Sequence, residues 1–121
     1  MKLKKIEYQR LNARQKENFN FQKISAILAD YGFVTLRLSD DWQGADFIAL
    51  HISGDSIPVQ LKSRLAFYQK YSGKGLYVAF AEGDAWYLYP HDELLSKIIK
   101  RIGETSSWKE DGGYSFPQVP M

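Results

Sequence analysis

Apolar residues recur at steps of three and four through Phe21, Ile24, Ile27, Leu28 and Tyr31, which makes one buried stripe of helical period. Asn12 and Gln15 stand ahead of it at capping-box spacing, and Gly32 follows with the freedom to end a helix in a left-handed turn. The pattern predicts a helix over 13–31, preceded by a charged arm or frayed turn over 2–10. The period then shortens. Phe-Val-Thr-Leu-Arg-Leu over 33–38 is rich in β-branched and aromatic residues and predicts a strand, and the polar run 39–44 predicts a loop. Strands over 45–52 and 57–63 flank a turn at Ser53-Gly54-Asp55, which implies an antiparallel hairpin. Residues 64–75 fit a short helix or an extended arm. Strands over 75–80 and 85–89 flank a turn at Glu82-Gly83-Asp84.

A second helix has Pro90 in its first turn, with Asp92 and Glu93 near its positive end and Lys97, Lys100 and Arg101 near its negative end. Leu94, Leu95, Ile98, Ile99 and Ile102 form its apolar face, and Gly103 ends it. The tail, 104–121, carries Trp108, Tyr114 and Phe116, and is expected to pack back as an extended segment. Helix, three strands, a connector, two strands and a helix make an α/β sandwich with a mixed central sheet.

At 121 residues the chain has room for one domain, with a core over about 13–103. A hydrophobic share of 45% is enough for a packed core and argues against a disordered chain. The absence of cysteine removes disulfides, thiolate zinc sites and cysteine nucleophiles, and His51 and His91 are too few for a histidine-rich metal site. No apolar run follows the basic residues 1–5 and none approaches a membrane span, so a soluble cytoplasmic protein is expected. The net charge of +2 is low for a dedicated non-specific DNA binder. Its distribution says more. Residues 56–81 contain no acid and carry Lys62, Arg64, Lys70 and Lys74. That stretch is either a solvated basic face or a surface that meets phosphate.

Asp46, Gln60 and Lys62 stand out on the central hairpin. Gln60 and Lys62 share a face because they are two apart, and the turn sets the start of one strand against the end of the other. A carboxylate, an amide oxygen and a lysine then converge. Magnesium takes oxygen ligands and keeps waters, commonly held by one or two carboxylates and substrate phosphate. A lysine beside it can stabilise charge on a phosphoryl group or orient the attacking water.

The runs Gly44-Ala45-Asp46-Phe47-Ile48-Ala49-Leu50 and Val59-Gln60-Leu61-Lys62-Ser63-Arg64 resemble the PD-(D/E)XK nuclease superfamily, which includes restriction endonucleases and archaeal Holliday-junction resolvases. Tyr31-Gly32-Phe33 at the end of the first helix is similar too. The resemblance covers about 13–90 and implies a restriction-endonuclease-like α-β-β-β-(α)-β-β-α sandwich. It implies Asp46 and Gln60 as ligands of Mg2+, with Mn2+ as substitute, and Lys62 as the group that assists the water. Gln60 departs from the family's second acid and supplies no charge. Residue 45 is Ala where the family has Pro. The first-helix glutamate of many relatives falls near Gln22, with Glu17 as an alternative in another register, and Asp40 or Asp41 as displaced carboxylates.

Lys70 and Lys74, with Ser63 and Arg64, can meet a phosphate backbone or form an ordinary lysine surface. Trp42, in the loop before the motif, is either a stacking residue for nucleic acid or the edge of the core. His51 faces away from Asp46 by strand parity, His91 is expected at the surface, and Ser63 lacks a histidine partner. The sequence therefore leads to a metal-dependent DNA endonuclease, homodimeric if it cuts both strands. The alternative is an inactive nuclease-fold module that binds nucleic acid or a protein partner.

Overall fold

The computed structural model describes residues 1–120, the side chain of Asp41 excepted. Helix α1 (Ala13–Ala29) starts on the expected capping box. The Asn12 side chain accepts from the Gln15 N–H, and Gln15 Oε1 accepts from the Asn12 N–H, both at 2.9 Å. The helix ends two residues earlier than its stripe suggests. Asp30, Tyr31 and Gly32 bond back to the third carbonyl before them, a tightened last turn, and Gly32 has φ +87°.

Strands β1 (Phe33–Trp42), β2 (Ala45–His51), β3 (Ser56–Leu61), β5 (Tyr77–Glu82) and β6 (Ala85–Pro90) form one sheet in the order β1-β2-β3-β5-β6. The β3–β5 pair is parallel and the others are antiparallel, so the sheet is mixed. Residues 39–42 were expected in a loop but continue β1. The Asp-rich run disfavours a strand by propensity, yet only Gln43 and Gly44 turn, both at positive φ (52° and 89°). A two-residue turn of that kind matches strand twist and pairs Trp42 with Ala45, after an irregularity in register beyond Arg37.

Alternation sorts the sheet into two faces. Phe47, Ala49 and Val59 pack under Ile24 and Leu28 of α1, with Phe21 edge-on to Phe47 at 5.2 Å. On the other face Val78, Phe80 and Tyr89 meet Phe67, Phe116 and Ile102, the last from helix α2 (His91–Ile102). Pro90 is the N-cap of α2 rather than a residue of its first turn.

The connector holds no α-helix. It runs through a short strand β4 (Ala66–Tyr68) and a 3-10 turn (Gln69–Tyr71). The tail does not stay extended. It forms one π-helical turn (Ser107–Asp111) and then β7 (Gly113–Ser115), which pairs antiparallel with β4 as a second sheet. Among the described residues no helix is long and apolar enough to cross a membrane.

Candidate active site

The last pair in the β2–β3 register is Phe47 with Val59. One step further, Asp46 and Gln60 stand on the face opposite those two core residues. Where the ladder ends, side chains take over its bonds. The Leu61 N–H donates to Asp46 Oδ2 at 2.8 Å. The Gln60 Nε2 donates to the Leu61 carbonyl at 3.3 Å, which leaves Oε1 as the amide atom outside that bond. Lys62 lies just past β3, and its backbone N–H donates to the Ala79 carbonyl of β5 at 2.9 Å. The parallel strand therefore fixes the start of the Lys62 side chain.

Gly44, Asp46, Gln60, Lys62, Lys70, Tyr71 and Lys74 line one cleft of about 300 Å³. Lys70 and Lys74 of the acid-free stretch meet there with the hairpin trio, which already includes Lys62. Sequence reasoning missed the cleft's aromatic wall. The Lys62 ammonium lies 4.6 Å from the Tyr68 ring centroid and 5.6 Å from that of Tyr71. Lys70 lies 5.6 Å and 5.4 Å from the same rings. The rings meet edge to face at 5.2 Å, so two ammonium groups share one aromatic pair. Aromatic and basic residues interleaved in Tyr68-Gln69-Lys70-Tyr71 were the available signal.

Burial pushes the Lys62 pKa down from its ordinary value, and the Lys70 charge pushes it further, against a smaller opposing pull from Asp46. Gly44 makes room for Tyr71, since a Cβ there would lie 3.2 Å from the ring.

His91, expected at the surface, is fully buried and holds this wall in place. Its Nε2 accepts the Tyr68 N–H at 3.0 Å, and its Nδ1 bonds Asp92 Oδ1 at 2.9 Å. These partners assign the ring proton to Nδ1. Asp92 Oδ2 accepts the Gly73 N–H at 2.8 Å. The Asp92 carboxyl is held below its usual range chiefly by the His91 bond, against burial, which raises it, and with a lesser contribution from the Gly73 N–H. The segment between those two anchors carries Lys70 and Tyr71.

The remaining candidates lie elsewhere. Arg64 is exposed and outside the cleft lining. Trp42, 56% exposed at the end of β1, is neither in a loop nor in the core edge. Glu17 lines a separate depression with Arg14 and Arg37. Gln22 and Asp40 are exposed and outside the cleft lining. The Asp41 carboxylate lies outside the described residues. His51 bonds Ser53 and the Tyr31 carbonyl, away from the cleft.

Among the described residues no group of three or more acids or histidines could hold a metal ion. The donor set of the cleft is one carboxylate and one amide oxygen beside three lysines. That set is too poor for an all-protein cage. It fits magnesium as an ion shared with phosphate and water, because Asp46 and Gln60 supply two hard oxygens on adjacent strands. Comparison with family models, curated proteins and solved structures finds no match.

Proposed function

We propose that the chain is a PD-(D/E)XK-type endonuclease that hydrolyses a DNA phosphodiester with magnesium. The observation that carries this reading is the meeting of Asp46, Gln60, Lys62, Lys70 and Lys74 in one cleft. Its lining sums to +2 (three lysines against one aspartate), so phosphate is attracted before any cation. Lys70 and Lys74 bind the phosphate as point charges. Asp46 and Gln60 would hold the metal. When bound, magnesium lowers the pKa of a water and offsets charge on the phosphoryl oxygens. Lys62 orients the attacking water and, as a cation, stabilises the charge that grows on the phosphoryl oxygens. The water oxygen bonds to phosphorus and gives up a proton to solvent, the ester P–O bond breaks, and the leaving alkoxide takes a proton from solvent. Cutting both strands takes two such clefts, hence two chains.

One observation favours a second reading, a non-catalytic nucleic-acid-binding module. Among the described residues Asp46 is the only carboxylate in the cleft lining, and a single carboxylate holds magnesium weakly. Incubation of plasmid and branched oligonucleotides with the purified chain, in Mg2+, Mn2+ or EDTA, separates the two. Metal-dependent nicking that disappears in Asp46→Asn and Lys62→Met supports the nuclease. DNA binding without nicking at any metal concentration supports the module.

A further inference from the structure

Lys62 and Ser63 also line a second groove, of about 740 Å³, on the α1 side of the sheet. Phe19, Asn20 and Lys23 of α1 form one wall, and Trp86 with the Gly83-Asp84 turn forms the other. Tyr8, in a 3-10 turn (Tyr8–Arg10) of the N-terminal arm, completes the lining. The arm is tied to the helix there. The Tyr8 hydroxyl accepts from Asn20 Nδ2 at 2.9 Å, and the Tyr8 ring meets Phe19 edge to face at 5.3 Å.

Two features specify an occupant. The first is exposed aromatic surface: Tyr8 is 36% and Phe19 38% exposed. Each carries an ammonium over its ring at 5.2 Å, Lys16 on Tyr8 and Lys23 on Phe19. The second is charge. Residues 1–14 hold Lys2, Lys4, Lys5, Arg10 and Arg14 against Glu7 alone. Among the described residues Asp84 is the one acid in the groove lining, against Lys23 and Lys62. Exposed rings in a groove lined by Lys23 and Lys62, beside a basic arm, suit a chain of anions that also carries planar faces. An acidic peptide would use the cations and leave the rings idle. Bases inside a duplex are stacked on each other and cannot offer a face to a side chain. Unpaired nucleotides use both features.

We infer that this groove binds unpaired nucleotides contiguous with the phosphate in the Asp46 cleft, with Lys62 and Ser63 at the junction. The inference rests on the nucleic-acid reading of that cleft and adds the substrate class, a junction between duplex and single strand. As a base takes the Tyr8 or Phe19 ring, Lys16 and Lys23 turn from the rings to the strand's phosphates.

The test is fluorescence anisotropy of the full chain in EDTA, which blocks metal-dependent cutting. One probe is a blunt duplex and the other is the same duplex with four unpaired nucleotides at one end. The flapped probe is expected to bind at least about fivefold tighter, since one stacked base alone supplies that factor. Tyr8→Ala combined with Phe19→Ala is expected to abolish the gain and leave blunt-duplex affinity within about twofold. Phe19→Leu, which keeps apolar bulk on α1 and removes the ring, guards against misfolding and should lose most of the gain. Equal affinity for the two probes, or a gain that survives both variants, overturns the groove assignment alone. No affinity for either probe overturns the reading of the Asp46 cleft as well.

Discussion

The Leu61 N–H donates to Asp46 Oδ2 at 2.8 Å, so the residue proposed to hold metal also ends the β2–β3 ladder. Removing the side chain and removing its charge are therefore different experiments. Asp46→Ala leaves a part-buried N–H without that acceptor, at about 1–3 kcal/mol. Asp46→Asn keeps an oxygen acceptor and is expected to change stability by less than about 1 kcal/mol while abolishing Mn2+ binding in the presence of phosphate. Urea unfolding and calorimetric titration of both variants check this. Retention of metal affinity in folded Asp46→Asn would remove Asp46 from the site.

Lys62 gives a pH dependence with a definite sign. Its folded pKa is below the ordinary 10.5, so the folded protein releases this proton at lower pH than the unfolded chain does. Between the two values the unfolded state binds more protons, and stability rises with pH. The penalty of the buried charge is fully present below the folded pKa and gone above 10.5. Lys62→Met should flatten that rise. Lys70→Gln removes one of the two causes of the shift, so the Lys62 pKa should move up. Carbon NMR of the Lys62 Cε across alkaline pH reads it directly, and an unmoved titration would mean the Lys70 charge does not act on Lys62.

His91 reaches the cleft through the backbone. His91→Leu removes the acceptor of the Tyr68 N–H and the donor to Asp92, and is expected to cost about 2–4 kcal/mol. Asp92→Asn should cost less, because that side chain is 47% exposed, and should chiefly release Gly73. Faster amide hydrogen exchange at Gly73 with unchanged exchange in β5 is the expected signature. The Asp92 pKa is lowered, so its contribution is present above 3.8 and fades as pH falls through the folded value. If Gly73 exchanged no faster in Asp92→Asn, the Lys70 segment would owe its position to Tyr68 and Tyr71 packing alone.

Local signals were enough for the parts of this fold that local physics builds. Asn12 and Gln15 cap α1 within three residues of each other, and the hairpin around Gly54 closes on adjacent strands. Asp46 and Gln60 could be brought together from parity and one turn. Residues 64–75 could not, because their conformation is decided at a distance. Strand β4 exists by pairing with β7, nearly fifty residues on, and Tyr68 is held by His91, 23 residues away. Periodicity carries no record of such partners. The same holds for His91 itself. A histidine at a helix start is ordinary surface until a backbone N–H and a carboxylate arrive on its two nitrogens.

Gln60→Glu bears most directly on whether the cleft cuts or only binds. The change keeps side-chain length and gives up one long amide bond to the Leu61 carbonyl, 3.3 Å, so the fold should be retained. It lowers the lining charge from +2 to +1, that is, three lysines against two acids. Two carboxylates attract a hard cation more than one carboxylate and an amide, and the nearby lysines temper their mutual repulsion in the metal-free protein. Mn2+ affinity should rise at least about tenfold, roughly 1.4 kcal/mol. The added charge also opposes the burial effect on Lys62, whose pKa should rise. The cleavage rate then distinguishes the two readings. A nuclease adapted to an amide ligand should stay within about tenfold of the wild-type rate, since tighter metal binding is offset by a weaker pull on phosphate. A binding module should gain metal and lose DNA affinity, with no cleavage before and at most a trace after. Calorimetry with Mn2+ and a plasmid-nicking assay on the same preparation measure both. Unchanged metal affinity in the folded variant would place Gln60 outside the metal's reach and leave Asp46 as a structural cap on β3.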